Sequence, residues 1–142
     1  MSSVGRQDNW ARQVPLTISV IVPVFNRQAI IGKTIASILD QRRVPDQIVF
    51  CDDGSDDNSV EVIHQVLADR NVPFVVVEVP NSGPSNARKV AVDHAIGDWL
   101  FFLDSDDRWQ SGYLEDTEKL INEHNPDAVI SNFRKAVVSD SG

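Results

Sequence analysis

The chain has 142 residues and carries 13 Lys and Arg against 21 Asp and Glu, for a formal net charge of -8. That length is a prior for one domain able to bury its own core. The acidic balance argues against a nucleic-acid-binding surface, because a phosphate backbone rewards clustered Lys and Arg.

Residues 1–16 read as a polar lead-in without the apolar stretch of a secretory signal, and residues 17–142 as one domain. "TISVIVPVF" (17–25) is rich in β-branched residues and predicts a buried strand. Ile30, Ile31, Ile35, Ile38 and Leu39 then recur at helical spacing, predicting a helix over 28–40. "QIVFC" (47–51) predicts a second strand, and the polar turn "DDGSDDNS" leads into a second helix with Val62, Ile63, Val66 and Leu67 on one face. Asp57 or Asn58 is available as its N-cap.

A third strand is expected at "PFVVVEV" (73–79). "PNSGPSNARKVAVDHAIG" reads as turn, helix and stop, with Pro84 suited to a first helical position and Gly97 just past the end. "DWLFFL" predicts a fourth strand, residues 112–124 a helix carrying Leu114, Leu120 and Ile121, and "DAVIS" (127–131) a fifth strand. The single cysteine, Cys51, excludes an internal disulfide and suits a reducing, cytoplasmic setting. No apolar run approaches the ~20 residues of a membrane span, which leaves peripheral membrane contact open.

Alternation of apolar strands with helices implies an open, mostly parallel α/β sheet covered on both faces. Ligands of such sheets bind beyond the carboxyl ends of the strands. The residues expected there are 23–26, Asp52 and Asp53, 80–82, and 104–107. No glycine-rich loop follows the first strand, which removes the dinucleotide and Walker-type phosphate cradles. Carboxylates crowded at a ligand edge repel one another and repel phosphate, unless they hold a hard cation that takes oxygen ligands from both sides. Mg²⁺ or Mn²⁺ with a diphosphate meets that requirement.

Four blocks in order, "ISVIVPVFN", "IVFCDDGSDDNS", "NSGPSNARKVA" and "GDWLFFLDSDDRW", resemble the N-terminal half of a family 2 glycosyltransferase of the GT-A fold, over residues 17–133. The resemblance implies a Rossmann-like sheet and an inverting transfer from a nucleotide-sugar donor, with UDP the nucleotide expected. It implies that Pro23, Val24 and Asn26 line the nucleotide pocket and that Asp53, beside Asp52, accepts a hydrogen bond from the base. Arg88 would lie near the diphosphate, Asp104 towards the ribose and metal, Asp106 on the metal, and Asp107 in support. The cofactor is then Mn²⁺ or Mg²⁺, and the acceptor a glycan, lipid or protein that the sequence does not name.

The family places its catalytic base after this half, and Glu115, Asp116, Glu118 and Glu123 fall instead on the predicted helix. The catalytic residue is therefore unknown, and a non-catalytic nucleotide-sugar-binding fragment stays open as an alternative. A receiver-type signalling domain is the distant rival, but it needs its acidic pair after the first strand, where "PVFN" stands. An EF-hand fails because Trp109 holds the glycine position of its loop. A D-x-D-x-T phosphohydrolase fails at Arg108.

Overall fold

Runs of consecutive apolar residues leave a strand no face to show to water, so such strands take the middle of a sheet. The computed structural model describes residues 16–131 and bears this out. Its elements alternate as β1 (Ile18–Val24), α1 (Ile31–Leu39), β2 (Gln47–Asp52), α2 (Ser59–Leu67), β3 (Phe74–Glu78), α3 (Pro84–Asp93), β4 (Trp99–Phe102) and α4 (Tyr113–His124). The strands form one parallel sheet in the order β3-β2-β1-β4, and every residue of β1 and β2 is buried.

The two-residue alternation of the strands feeds two cores. On one face Ile18, Val20, Val22, Ile48, Phe50 and Phe101 lie beneath α1, α2 and α4, which contribute Ile31, Ile35, Ile38, Ile63, Leu67, Leu114 and Ile121. Each such fully buried side chain contributes about 1.5–3 kcal/mol by leaving water, so this face dominates stability. On the other face Ile21, Val49 and Cys51 meet α3 through Ala87 and Ala91, one turn apart on that helix. Their small side chains let α3 approach the sheet closely. The doubly covered parallel sheet expected from the sequence is therefore present, with three helices on one side and one on the other.

Four details differ from the expectations. The first helix begins at Ile31, because residues 27–30 fold into a turn in which the Ile30 amide donates to the Arg27 carbonyl at 3.0 Å. Ile30 itself is exposed, and so is Leu120 of α4. The third helix ends at Asp93 with His94 as its C-cap, so Gly97 does not stop it. Gly97 instead lets the chain pass β1: a Cβ there would sit 2.5 Å from the Ser19 amide nitrogen.

No strand starts at 127–131, where a fifth was expected, and any continuation falls outside the described residues. Asn125 ends α4 in the left-handed region (φ 46), and the chain then runs on without ladder partners among the described residues. Val129 reaches the core while Ile130 is 97% exposed. A short apolar run becomes a strand only where a neighbour accepts its hydrogen bonds. The expected lead-in falls almost wholly outside the described residues. Among those residues no helix is long and apolar enough to cross a membrane.

Candidate functional site

At the carboxyl ends of the strands, β1 gives way to a left-handed residue. Asn26 has φ 52, its amide donates to Ser55 Oγ at 2.9 Å, and its Oδ1 accepts from the Asp56 amide at 2.8 Å. The next two residues continue the exchange between the loops. The Arg27 amide donates to Ser59 Oγ (2.8 Å) and the Gln28 amide to Asp57 Oδ2 (3.1 Å), while Gln28 Oε1 accepts from the Asn58 amide (3.1 Å). Burial pushes the Asp57 carboxyl up, but hydrogen bonds from Ser59 and from the Gln28 amide outweigh it and hold the pKa below the usual carboxylate value. Asn58 is the N-cap residue of α2 without a side-chain cap bond, and Asp57 Oδ1 accepts the Ser59 amide in its place. Of the other expected pocket residues on β1, Pro23 is buried and Val24 packs in the larger core.

The carboxylates at the end of β2 are buried and already engaged. Asp52 accepts from the Ser55 amide at 3.0 Å. Asp53 receives the Ser82 amide on one oxygen and the Gly83 amide on the other, both at 2.8 Å. Gly83 has φ 102 and precedes Pro84, the first residue of α3. Asp53 thus fastens the end of β2 to the start of α3, and the remaining lone pairs of its oxygens are what a ligand could still use. Cys51, beneath this pair, is fully buried, and burial together with the charges of Asp53 and Asp52 pushes its thiol up to about 11.

Beyond β4 the chain turns sharply, the Asp107 amide donating to the Asp104 carbonyl at 3.0 Å. One carboxylate oxygen each from Asp104, Asp106 and Asp107 lies within 4.8 Å of the others, and all three residues are exposed. Burial, then the charges of Asp106 and Asp104, push the Asp107 carboxyl above its ordinary value. Two arginines face the cluster. Arg88 of α3 donates to Asp104 Oδ1 at 2.8 Å, and Arg27 brings a guanidinium nitrogen to 3.7 Å from Asp106 Oδ2. Arg27 Nε is buried without a hydrogen-bond partner. The expected metal residues and Arg88 are therefore brought together, while Asp52 and Asp53 hold local backbone amides at the end of β2.

Arg27 is the site residue that the sequence reading missed. It follows Asn26 directly, so extending the strand-end segment by one position would have included it. The three carboxylates offer only oxygen donors, open to solvent, which fits a hard divalent cation such as Mg²⁺ or Mn²⁺. The paired guanidinium groups suit anionic oxygens.

The family profile described as Glycosyl transferase family 2 matches residues 19–141. An uncharacterized glycosyltransferase of Haemophilus influenzae is 37% identical over 69% of this chain and 39% of its own length. The putative teichuronic acid biosynthesis glycosyltransferase TuaG of Bacillus subtilis is 37% identical over 75% of this chain and 41% of its own. The chain spans 16 to 41% of these and similar curated relatives. Among solved structures, residues 1–349 of Staphylococcus aureus TarS in complex with UDP-GlcNAc superpose with a TM-score of 0.70 at 32% identity, covering 78% of this chain and 32% of that one. The mannosyltransferase PcManGT of Pyrobaculum calidifontis, solved with GDP-Man and Mn²⁺, shares the fold at 19% identity and a TM-score of 0.66, over 84% of this chain and 39% of that one.

Proposed function

We propose that this chain, which belongs to glycosyl transferase family 2, binds a nucleotide-diphospho-sugar at its strand-end edge and forms the donor-binding part of an inverting sugar transfer. The observation that carries this reading is the exposed triad Asp104, Asp106 and Asp107 with Arg27 and Arg88 beside it, at the edge where open α/β sheets take ligands. UDP is the proposed nucleotide. A relative solved with UDP-GlcNAc, 32% identical, supports that choice.

In this reading Asp104 and Asp106 hold a Mn²⁺ or Mg²⁺ ion, with Asp107 supporting them. The bound ion would neutralise charge developing on the departing diphosphate. With a cation held by these carboxylates, Arg27 and Arg88, which now face Asp106 and Asp104, would be available to donate to diphosphate oxygens. Asp53 and Asp52 hold the floor of the nucleotide pocket, and Asn26 its rim at the end of β1, with Pro23 and Val24 behind. Residues 17–142 act as one donor-binding unit in the cytoplasm. The acceptor, whether glycan, lipid or protein, is left open, and the proposal assigns the general base to no residue of this chain.

Thermal unfolding with UDP and Mn²⁺, separately and together, tests the reading. The combination raises the melting temperature more than the sum of its parts. A ligand at about a hundred times its dissociation constant adds ~2.7 kcal/mol when it binds the folded state alone. Asp106→Ala removes the metal-dependent part of that shift. Equal shifts by UDP with and without a chelator would overturn the proposal.

A further inference from the structure

Polar side chains on a helix that packs against a sheet normally turn to solvent, because burying one without a partner costs about 1–3 kcal/mol. Two polar residues associated with α1 do the opposite. Thr34 is 1% exposed and Gln41, just past the helix end, is 3% exposed. Ile31, Ile35 and Ile38 supply the apolar face of the helix. Thr34 bonds the segment between β4 and α4, which carries the three carboxylates, and Gln41 bonds that segment, the first turn of α4 and the Ser37 carbonyl of its own helix (3.1 Å).

Thr34 Oγ1 donates to the Ser105 carbonyl at 2.9 Å, across the interface rather than back into its own helix. Gln41 Nε2 donates to the Gln110 carbonyl at 2.6 Å, and Gln41 Oε1 accepts from the Leu114 amide at 3.0 Å. Between them, Ser37 Oγ accepts from the Trp109 amide (3.2 Å), and directly after Gln41 the Arg42 amide donates to the Ser111 carbonyl (3.0 Å). The anchored positions are thus 105, 109, 110, 111 and 114. None of them is a carboxylate. Ser105, the middle residue of the D-x-D sequence, is buried, while Asp104, Asp106 and Asp107 stay exposed. The segment has an inner edge fixed to α1 and an outer edge of three like charges that repel one another.

We infer that Thr34 and Gln41 are positioning residues, which hold the acidic turn at the spacing a divalent cation needs. The inference rests on the reading that this turn binds such a cation with the donor. Without the anchors, mutual repulsion spreads the carboxylates, and the cation must gather them again on binding. Residues that orient metal ligands in this way typically change metal affinity by about 10–100-fold when replaced.

Thr34→Val keeps the volume and loses the donor, and Thr34→Ser keeps the donor. Calorimetry of Mn²⁺ binding in the presence of UDP is expected to show at least about tenfold weaker binding for Thr34→Val. Thr34→Ser should bind like the parent. Urea unfolding of the same samples reports any loss of stability separately, which is all that a purely structural residue would change. Gln41→Leu gives an independent second case should Thr34→Val fold poorly. If the parent binds Mn²⁺ with UDP and Thr34→Val and Gln41→Leu bind it equally well, the positioning role is overturned and the proposed function stands. If the parent shows no metal-dependent UDP binding, both fall.

Discussion

Asp53 and Asp104 are both acidic, both stand at strand ends and both belong to the proposed donor site, yet their removal should have very unequal consequences for the empty protein. Asp53 is buried and receives two backbone amides at 2.8 Å, from Ser82 and Gly83. Hydrogen bonds to a charged acceptor contribute about 1.5–3 kcal/mol each. Ser82 is exposed, so water replaces part of what its amide loses, while Gly83 is half-buried. We expect Asp53→Ala to cost ~2–4 kcal/mol, a fall of ~8–16 °C in melting temperature for a chain of this size. Asp53→Asn should lie between, since one oxygen remains and the new amide group faces a donor. Asp104 is exposed and its pair with Arg88 is open to solvent, so Asp104→Ala should change stability by less than about 1 kcal/mol. Urea unfolding followed by tryptophan fluorescence, without nucleotide or metal, measures all three. The reasoning fails if Asp53→Ala unfolds within about 0.5 kcal/mol of the parent, or if Asp104→Ala costs more than it does.

Burial, and then the like charges of Asp106 and Asp104, raise the Asp107 pKa in the folded state, so the folded chain holds that proton more tightly than the unfolded one. Stability should therefore fall as pH rises from the ordinary carboxylate value through the folded one, and Asp107→Asn should flatten that fall. Parallel pH–stability curves for the two proteins would contradict this. The Cys51 thiol, fully buried and pushed up to about 11, should resist a thiol reagent at pH 8 until the chain unfolds. Labelling much faster than global unfolding would mean that the strand end opens locally.

The alternation of elements was legible because each carries its own period. Strands at 17–25 and 47–51 are almost continuously apolar, and the helices repeat their apolar residues at three and four. Polar and three-dimensional relationships were less visible. The run 128–130 looks like a strand in isolation but lacks a partner to pair with among the described residues. Gly97 looks like a helix stop, whereas its requirement comes from the passing Ser19 backbone, 78 residues away in sequence. Arg27 sits one position beyond the strand-end segment, and its approach to Asp106 is a three-dimensional relationship. Nothing in the sequence marks Thr34 or Gln41, whose hydrogen bonds to Ser105 and Gln110 bridge residues about 70 positions apart. The acidic cluster itself was evident, since three carboxylates directly after "FFL" have few structural uses.

The narrow spacing between α3 and the sheet, set by Ala87 and Ala91, also acts as a gauge for the charge at the site. Arg88 lies between those two alanines in sequence, and its reach to Asp104 depends on how far the helix axis stands from β1 and β2. Methyl groups added at either alanine would lift the helix, and with it the guanidinium, without altering any residue that faces the ligand edge. A larger side chain at either buried position is therefore expected to alter the charge at the rim through the Arg88–Asp104 contact while every polar group there remains the same.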